Sequence, residues 1–362
     1  MTVAPGAAAD VVRRSLAPYR AASRWTVMFI LMAILIAVAL VSVSIGAARI
    51  SLGRIAAAVL AHSGDALAAR DELILLSIRL PRVVMAAMVG ALLATAGAYM
   101  QGLFRNPLAD PGLVGVSAGA GLAAAATIVA GDKLLPAASV AAPYLLPVAA
   151  FFGALATTAL LYRIATWRGR TSIATMLLAG LALGAFASAG TGLLVFLADD
   201  RQLRDITFWL LGSLAGATWP KVTAMLPFLL VLLGSIAFVS RGLDLLVLGE
   251  TEAFHMGIAV ERLKRFLIVL IAAAAGAAVS VSGVIGFVGI MVPHLLRLMI
   301  GPGHRLLLPA SACCGSILLL TADTFARTMA APAELPIGIV TAVIGAPFFL
   351  FLLLQQRTLL AS

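Results

Sequence analysis

Ten apolar segments follow one another along this chain, separated by short polar or proline-containing connections. A helix of about 20 apolar residues crosses the hydrocarbon core of a bilayer. In hydrocarbon, every backbone polar group must be bonded within its own helix. The segments therefore predict an all-α polytopic membrane protein with about ten transmembrane helices. Their expected bounds are 25–46, 79–103, 112–130, 144–164, 172–197, 219–240, 266–283, 284–300, 306–325 and 337–356.

The composition excludes a water-soluble domain, because 62% of the residues are hydrophobic and only 11% are charged. We expect residues 1–24 to form an N-terminal tail and residues 25–358 to form one transmembrane domain. The formal net charge of +10 could suggest a nucleic-acid partner. However, the arginines are spread over many loops, which fits lipid headgroups and membrane topology and indicates no nucleic acid.

The distribution of charge between alternate loops predicts which loops face the cytoplasm. With the N-terminus inside, the inner loops hold 15 basic and six acidic residues, and the outer loops hold ten basic and nine acidic residues. Basic residues concentrate on the cytoplasmic side of membrane proteins. We therefore expect both termini in the cytoplasm, together with the polar segment 241–265.

The segment 241–265 is a dense run of charged residues between two spans, and it has helical character. Gly249 and Gly257 bracket the helical pattern Glu250–Met256. This pattern predicts a short helix that lies flat at the membrane face. Two interpretations remain open: a solvated connecting loop, or a docking surface for a cytoplasmic partner.

Further charged and proline-rich features lie at the ends of spans. Arg79 and Arg82 fall on one helical face at the start of the second span. They could extend to the outer headgroups, or they could bind carboxylates of a partner at the outer surface. The Asn-Pro and Asp-Pro pairs within residues 101–115 predict a rigid, non-helical connection. In the ninth span, Asp323 and Arg327 are four residues apart and could pair.

Enzymatic and ion-coupled functions find little support in the sequence. Residues 115–119 match the GxSxG nucleophile pattern around Ser117, but no strand precedes them. No P-loop motif is present, the four histidines lie in loops or at span ends, and the adjacent Cys313 and Cys314 show no metal-ligand spacing. No carboxylate lies near the centre of a span, which disfavours an ion-coupled transporter. An intramembrane hydrolase and a secondary transporter remain the alternatives from other classes.

Six motifs, in order along residues 79–350, resemble the FecCD-type permease family of bacterial ABC importers for iron–siderophores, haem and cobalamin. They cover most of the chain beyond the first span, and their combination in this order is specific. The motifs are RLPR at 79–82, QGLFRNPLADPG at 101–112, FWLLGSLAGATW at 208–219, VLGETEAFHMG at 247–257, GFVGIMVPHLLRL at 286–298 and ELPIGIVTAVIGAPFF at 334–349.

The resemblance implies a fold, an assembly and a location. The fold would be that of the cobalamin-type, or type II, ABC importer permeases, which are homodimers of ten-helix subunits in the bacterial inner membrane. The dimer would rest on two cytoplasmic ATPase subunits and would receive substrate from a periplasmic binding protein. ATP and Mg²⁺ would bind the ATPase partners. This chain itself would hold no cofactor and no metal, and it would have no catalytic residues.

The same resemblance implies roles for residues at the outer face. Arg79, Arg82 and Arg327 match outer arginines that meet glutamates of the periplasmic binding protein. A short periplasmic helix at residues 199–209 would close the outer mouth of the path. Both features would therefore act where substrate enters.

At the cytoplasmic face, the resemblance implies two gates and a coupling element. Asn106 and Leu108 would form one gate, and Thr171 and Ser172 would form the second. The segment 241–265 would be the coupling helix that enters the cleft of an ATPase. The matching coupling positions are Gly249, Glu250, Glu252, Ala253 and Gly257.

Within the family, the stretch ADDRQLRDITFWLLGSLAG at 198–216 is most similar to the haem permeases. Haem is a large flat macrocycle with anionic propionates, so a wide apolar path without strong ligands would carry and release it. Ferric siderophores and cobalamin remain the alternatives. The expected mechanism is alternating access, in which ATP binding closes the ATPases, the coupling helices move with them, and the helix bundles rock about a fixed path.

Overall fold

A computed structural model of the chain describes residues 24–45, 73–134, 142–329 and 333–360. The tail expected at residues 1–24 lies outside the described residues, apart from Arg24. The described chain is almost entirely helical. Its α-helices are α1 (Arg24–Ser44), α2 (Leu80–Phe104), α3 (Val116–Leu134), α4 (Ala142–Ala165), α5 (Ile173–Leu197), α6 (Asp200–Leu211), α7 (Trp219–Leu246), α8 (Glu250–His255), α9 (Val260–Ser282), α10 (Val288–Ile300), α11 (His304–Met329) and α12 (Ile337–Leu360).

Short elements connect some of these helices. A π-helical turn at Ile74–Arg79 leads directly into α2, and a 3₁₀ turn at Pro111–Val114 precedes α3. A two-stranded antiparallel hairpin joins α4 to α5, with β1 at Thr166–Trp167 and β2 at Arg170–Thr171.

The apolar helices correspond to the ten predicted spans. Seven are long and apolar enough to cross a bilayer, and α3, α10 and α12 contain shorter apolar stretches. The predicted all-α polytopic membrane fold is therefore confirmed. The other two helices, α6 and α8, correspond to the short helices expected at 199–209 and within 241–265.

Two helices extend beyond the predicted bounds of their spans. α7 continues to Leu246, past the predicted end at residue 240, and α9 begins at Val260, before the predicted start at residue 266. Lys, Arg and Glu have good helix propensity, so a charged side chain ends an apolar segment without ending a helix. Polar turns of α7 and α9 therefore flank α8.

The centre of the bundle is α2, which is buried from Val83 to Phe104 with few exceptions. It packs against α7, α9, α10 and α11. A Cβ atom on Gly90 would overlap the carbonyl oxygen of Gly315 in α11, and one on Gly97 would overlap that of Gly289 in α10. Small residues allow helix backbones to approach this closely. The positions of α10 and α11 are thus fixed by backbone contact with α2.

A second layer, formed by α3, α4 and α5, packs beside α9 and carries α6 at one end. Asp199 caps α6 by accepting a hydrogen bond from the Gln202 N–H at 2.8 Å, and the Gln202 side chain accepts one from the Asp199 N–H at 3.1 Å. This reciprocal capping box sets the start of the helix. The helix predicted at 199–209 is therefore confirmed.

The ends of α6 and α9 and the start of α12 meet at an irregular junction. The Ser213 N–H donates to the Ser282 carbonyl at 2.8 Å, and the Ile337 N–H donates to the Gly212 carbonyl at 3.0 Å. Gly283 has a φ of +68°, a region that side chains rarely adopt. These bonds tie three helices together at the end of the bundle opposite α8.

The outer surface of the bundle is strongly apolar. Phe29 of α1, Phe196 of α5 and Phe238 of α7 are each at least 80% exposed. Apolar surface on this scale requires lipid or another subunit to cover it. It agrees with a chain that lies in a membrane.

Candidate functional site: the short helix between two spans and the opposite ion cluster

The short helix α8 lies between two glycines in conformations that favour glycine. Gly249 has a φ of +134° and Gly257 a φ of +87°. Ala253 is fully buried, whereas Glu252 and Phe254 are exposed. The predicted short helix is confirmed, with one face packed against the bundle and one face open to solvent or a partner.

A buried lysine joins this helix to the bundle. The ammonium of Lys264, in the first turns of α9, lies 2.6 Å from Glu250 Oε2 and 3.1 Å from Glu261 Oε1. It also donates to the Thr171 carbonyl at 3.3 Å. The side chain of Lys264 is 3% exposed. Burial of a charge is tolerated when it is paired and hydrogen-bonded, as it is here.

The hairpin between α4 and α5 carries the second predicted gate. Arg168 and Gly169 both have positive φ, which is typical of the tight turn that matches the twist of two strands. Thr171 ends β2, and its N–H donates to Glu261 Oε2 at 3.2 Å. Ser172 caps α5 by accepting a hydrogen bond from the Thr175 N–H at 3.2 Å. The structure therefore places Thr171 at the Lys264 contact and Ser172 at the start of α5.

The connection after α2 carries the first predicted gate. Asn106 Oδ1 accepts from the Leu108 N–H at 3.0 Å, and the Asn106 carbonyl accepts from the Ala109 N–H at 3.1 Å. Asp110 Oδ1 accepts from the Gly112 N–H at 2.8 Å and caps the 3₁₀ turn. Burial raises the pKa of the Asp110 carboxyl. These local bonds support the rigid connection predicted at residues 101–115. The connection is not entirely non-helical, because residues 101–104 belong to α2 and residues 111–114 form a 3₁₀ turn.

At the opposite end of the bundle, Arg82 lies in an internal ion-pair cluster. Its guanidinium is 3.0 Å from Asp323 Oδ1 and 2.9 Å from Glu334 Oε1. Asp323 also pairs with Arg327 at 3.3 Å, as its spacing of four residues predicted. The side chains of Arg82, Asp323 and Arg327 are each less than 10% exposed. Only Glu334, which is 45% exposed, presents much of the cluster to the surroundings.

Two of the three arginines that were predicted at the outer face also bind backbone carbonyls of α1. Arg79 donates to the Val43 carbonyl at 2.8 Å, and Arg327 donates to the Ser42 carbonyl at 2.8 Å. In the structure these three guanidinium groups are buried against other parts of the chain and do not extend towards the surroundings. The carbonyl partners on α1 and the carboxylate partners of Arg82 come from segments far away in sequence, and they help to bury the guanidinium groups. Contact of Arg79, Arg82 and Arg327 with a binding protein stays a prediction.

A further polar pair near α8 was missed by sequence reasoning. Asp244, in the last turn of α7, accepts from the His304 N–H at 2.9 Å, and its Oδ1 lies 2.7 Å from His304 Nδ1. The pair joins the end of α7 to the start of α11. The sequence does show a carboxylate near the end of one apolar segment and a histidine before another. Nothing local links the two residues, because they are 60 positions apart.

The described residues contain no group of three or more His, Cys, Asp or Glu side chains that could hold a metal ion. Cys313 and Cys314 are both unpaired thiols within α11.

Comparison with known proteins identifies close relatives. The FecCD transport family matches residues 34–355. The Hemin transport system permease protein HmuU of Yersinia pestis is 48% identical over 284 residues, which cover 78% of this chain and 83% of the relative. The Cobalamin import system permease protein BtuC of Halobacterium salinarum is 45% identical over 79% of this chain and 74% of the relative. The Vitamin B12 import system permease protein BtuC of Salmonella typhi is 42% identical over 81% and 87%.

Solved structures show the same architecture. A protein described as a metal-chelate type ABC transporter in an inward-facing conformation superposes with a TM-score of 0.78 at 32% identity. That alignment covers 91% of this chain and 98% of the other. PsaBC from Streptococcus pneumoniae superposes with a TM-score of 0.55 at 19% identity, over 78% of this chain and 93% of the other, which shows likeness of fold alone.

Proposed function

The chain belongs to the FecCD transport family, and we propose that it forms the membrane path of an ATP-driven importer for haem. It is a permease subunit of a type II ABC importer for haem, cobalamin or iron chelates. In this family ATP hydrolysis belongs to a separate subunit, so the chain is not itself an enzyme. The family membership predicted from the motifs is therefore confirmed.

Haem is our choice among these substrates because of one observation. The relative that is 48% identical over 78% of this chain is a hemin permease. The stretch 198–216, which covers α6 and its junction with α9, is similar to the haem permeases. This similarity also favours haem. Cobalamin is the second candidate, because the relatives at 45% and 42% identity are cobalamin and vitamin B12 permeases.

In the proposed mechanism two copies of the chain form a homodimer in the bacterial inner membrane, with the path between them and both termini in the cytoplasm. Two ATPase subunits, which bind ATP and Mg²⁺, would each bind the exposed face of α8 in one copy of the chain. ATP binding would draw them together and move α8. The gates at Asn106 with Leu108 and at Thr171 with Ser172 would then open in alternation with the junction at the end of α6.

We extend the proposal to delivery by a periplasmic binding protein. The binding protein would dock at the end of the bundle opposite α8, where Arg82 and Arg327 pair with Asp323 and Glu334. Acidic residues of the binding protein would attract these arginines and take over part of their present pairing. Glu334 would compete with them for Arg82, because it already accepts two hydrogen bonds from that guanidinium.

Substrate-stimulated ATP hydrolysis tests the proposal. The permease would be reconstituted in liposomes with its ATPase and binding-protein partners, and the hydrolysis rate would be measured with haem, cobalamin or a ferric siderophore loaded on a binding protein. Haem alone should stimulate hydrolysis above the rate with empty binding protein. Stimulation by cobalamin or a siderophore instead of haem would overturn the choice of substrate.

A further inference from the structure

Lys264 uses all the hydrogen-bonding capacity of its ammonium on three separate elements. A lysine ammonium has three N–H donors. Those of Lys264 are matched by Glu250 at the start of α8, Glu261 of α9 and the carbonyl of Thr171 in β2. One buried cation therefore connects the short exposed helix, a long helix of the bundle and the hairpin before α5.

The side chains that meet at Lys264 are buried to different extents. This difference determines the energetic cost of moving α8. The side chains of Glu250 and Glu261 are 39% and 34% exposed, against 3% for Lys264. A carboxylate that leaves the contact can be solvated, whereas a buried ammonium that loses its partners cannot. Displacement of α8 therefore costs less free energy when Lys264, and the groups that bind its ammonium, move together with α8.

The hairpin of β1 and β2 is one of the groups that would move with Lys264. Thr171 is held through both of its backbone polar groups, because its N–H donates to Glu261 and its carbonyl accepts from Lys264. The next residue, Ser172, caps α5. A movement at Thr171 therefore reaches the first turn of α5 across a single peptide.

We propose that Lys264 is the positioning residue that transmits movement of α8 to the hairpin and to the start of α5. The inference rests on the proposed function, in which an ATPase moves α8. It adds to that function a specific connection between the surface where the partner docks and a gate. Lys264 acts here through Glu250 and Thr171 and touches neither ATP nor the transported substrate.

The test measures substrate transported per ATP hydrolysed in proteoliposomes that contain the complete complex. Lys264→Met and Glu250→Ala each remove the connection, and the second keeps Lys264 paired with Glu261. In each variant the ratio should fall about tenfold, within the range of coupling between two protein sites. The double variant should be no worse than either single variant, because the same connection is lost only once.

Arg305→Gln is the control, since Arg305 is an exposed cation of α11 that lies outside the segment 241–265 and has no place in the connection. Its ratio should equal that of the wild type. The inference is overturned if Glu250→Ala keeps the wild-type ratio, or if uptake and hydrolysis decline in parallel in both variants. Failure of the wild-type complex to couple uptake to hydrolysis would instead reject the proposed function.

Discussion

Asp323 is the residue on which the ion cluster opposite α8 depends. Its side chain is 1% exposed and lies 3.0 Å from the Arg82 guanidinium and 3.3 Å from that of Arg327. Asp323→Asn would leave two buried cations without their shared carboxylate. Removal of one partner from a buried ion pair costs about 3–5 kcal/mol. We expect the purified variant to unfold at a markedly lower temperature than the wild type.

The exposed pair of Arg201 and Asp205 provides a control for that experiment. These side chains are 84% and 58% exposed and lie 4.0 Å apart. Exposed pairs contribute little to stability because water and salt screen them. Asp205→Asn should therefore leave the unfolding temperature unchanged, and equal effects of the two substitutions would contradict the structural role of the cluster.

Among the helices, the crossing of α2 and α10 depends on Gly97. A Cβ at this position would overlap the carbonyl oxygen of Gly289, and a backbone atom cannot rotate away as a side chain can. Overpacking of a tight core costs about 1–3 kcal/mol. Gly97→Ala should therefore lower the thermal stability and the yield of folded protein.

Gly234 of α7 gives the contrasting substitution. Nothing lies within 4 Å of the position that its Cβ would take. Alanine is also a better helix former than glycine, so Gly234→Ala should keep or slightly raise thermal stability. A similar loss in both variants would mean that close approach of α2 and α10 is unimportant.

The orientation of α8 depends on the backbone at Gly257. A Cβ there would meet no atom within 4 Å, so the cost of a side chain comes from the φ of +87° alone. For a side chain other than glycine, the left-handed region costs about 1–2 kcal/mol. Gly257→Val should insert normally yet weaken binding of the ATPase, measured by co-purification. Gly303→Val, at an open loop glycine without positive φ, should bind the ATPase normally.

The elements show what the sequence can and cannot predict. Runs of apolar residues placed all the spans, and the glycines around 250–256 placed α8, because both signals are local. The contacts of Lys264 with Thr171 and of Arg82 with Asp323 join residues 93 and 241 positions apart. Such pairs depend on which helices pack together, and one sequence carries no local signal of that packing.

At the scale of the whole molecule, the charge distribution predicts that α8 faces the cytoplasm. His255 is exposed at the end of α8, and Arg201 is exposed on α6 at the opposite end of the bundle. After replacement of Cys313 and Cys314 by alanine, a cysteine at 255 should react with a membrane-impermeant thiol reagent only in inverted vesicles. A cysteine at 201 should react only in right-side-out vesicles. The reverse pattern would invert the topology.

The most direct test of the account is the energy source for uptake of haem. Proteoliposomes with the permease, its ATPase and its binding protein would be supplied with ATP inside and haem outside. Uptake should persist in the presence of a protonophore and disappear when the P-loop lysine of the ATPase, which contacts the phosphates of ATP, is replaced. Uptake that collapses with the protonophore and continues without ATP hydrolysis would show a secondary transporter and contradict the account.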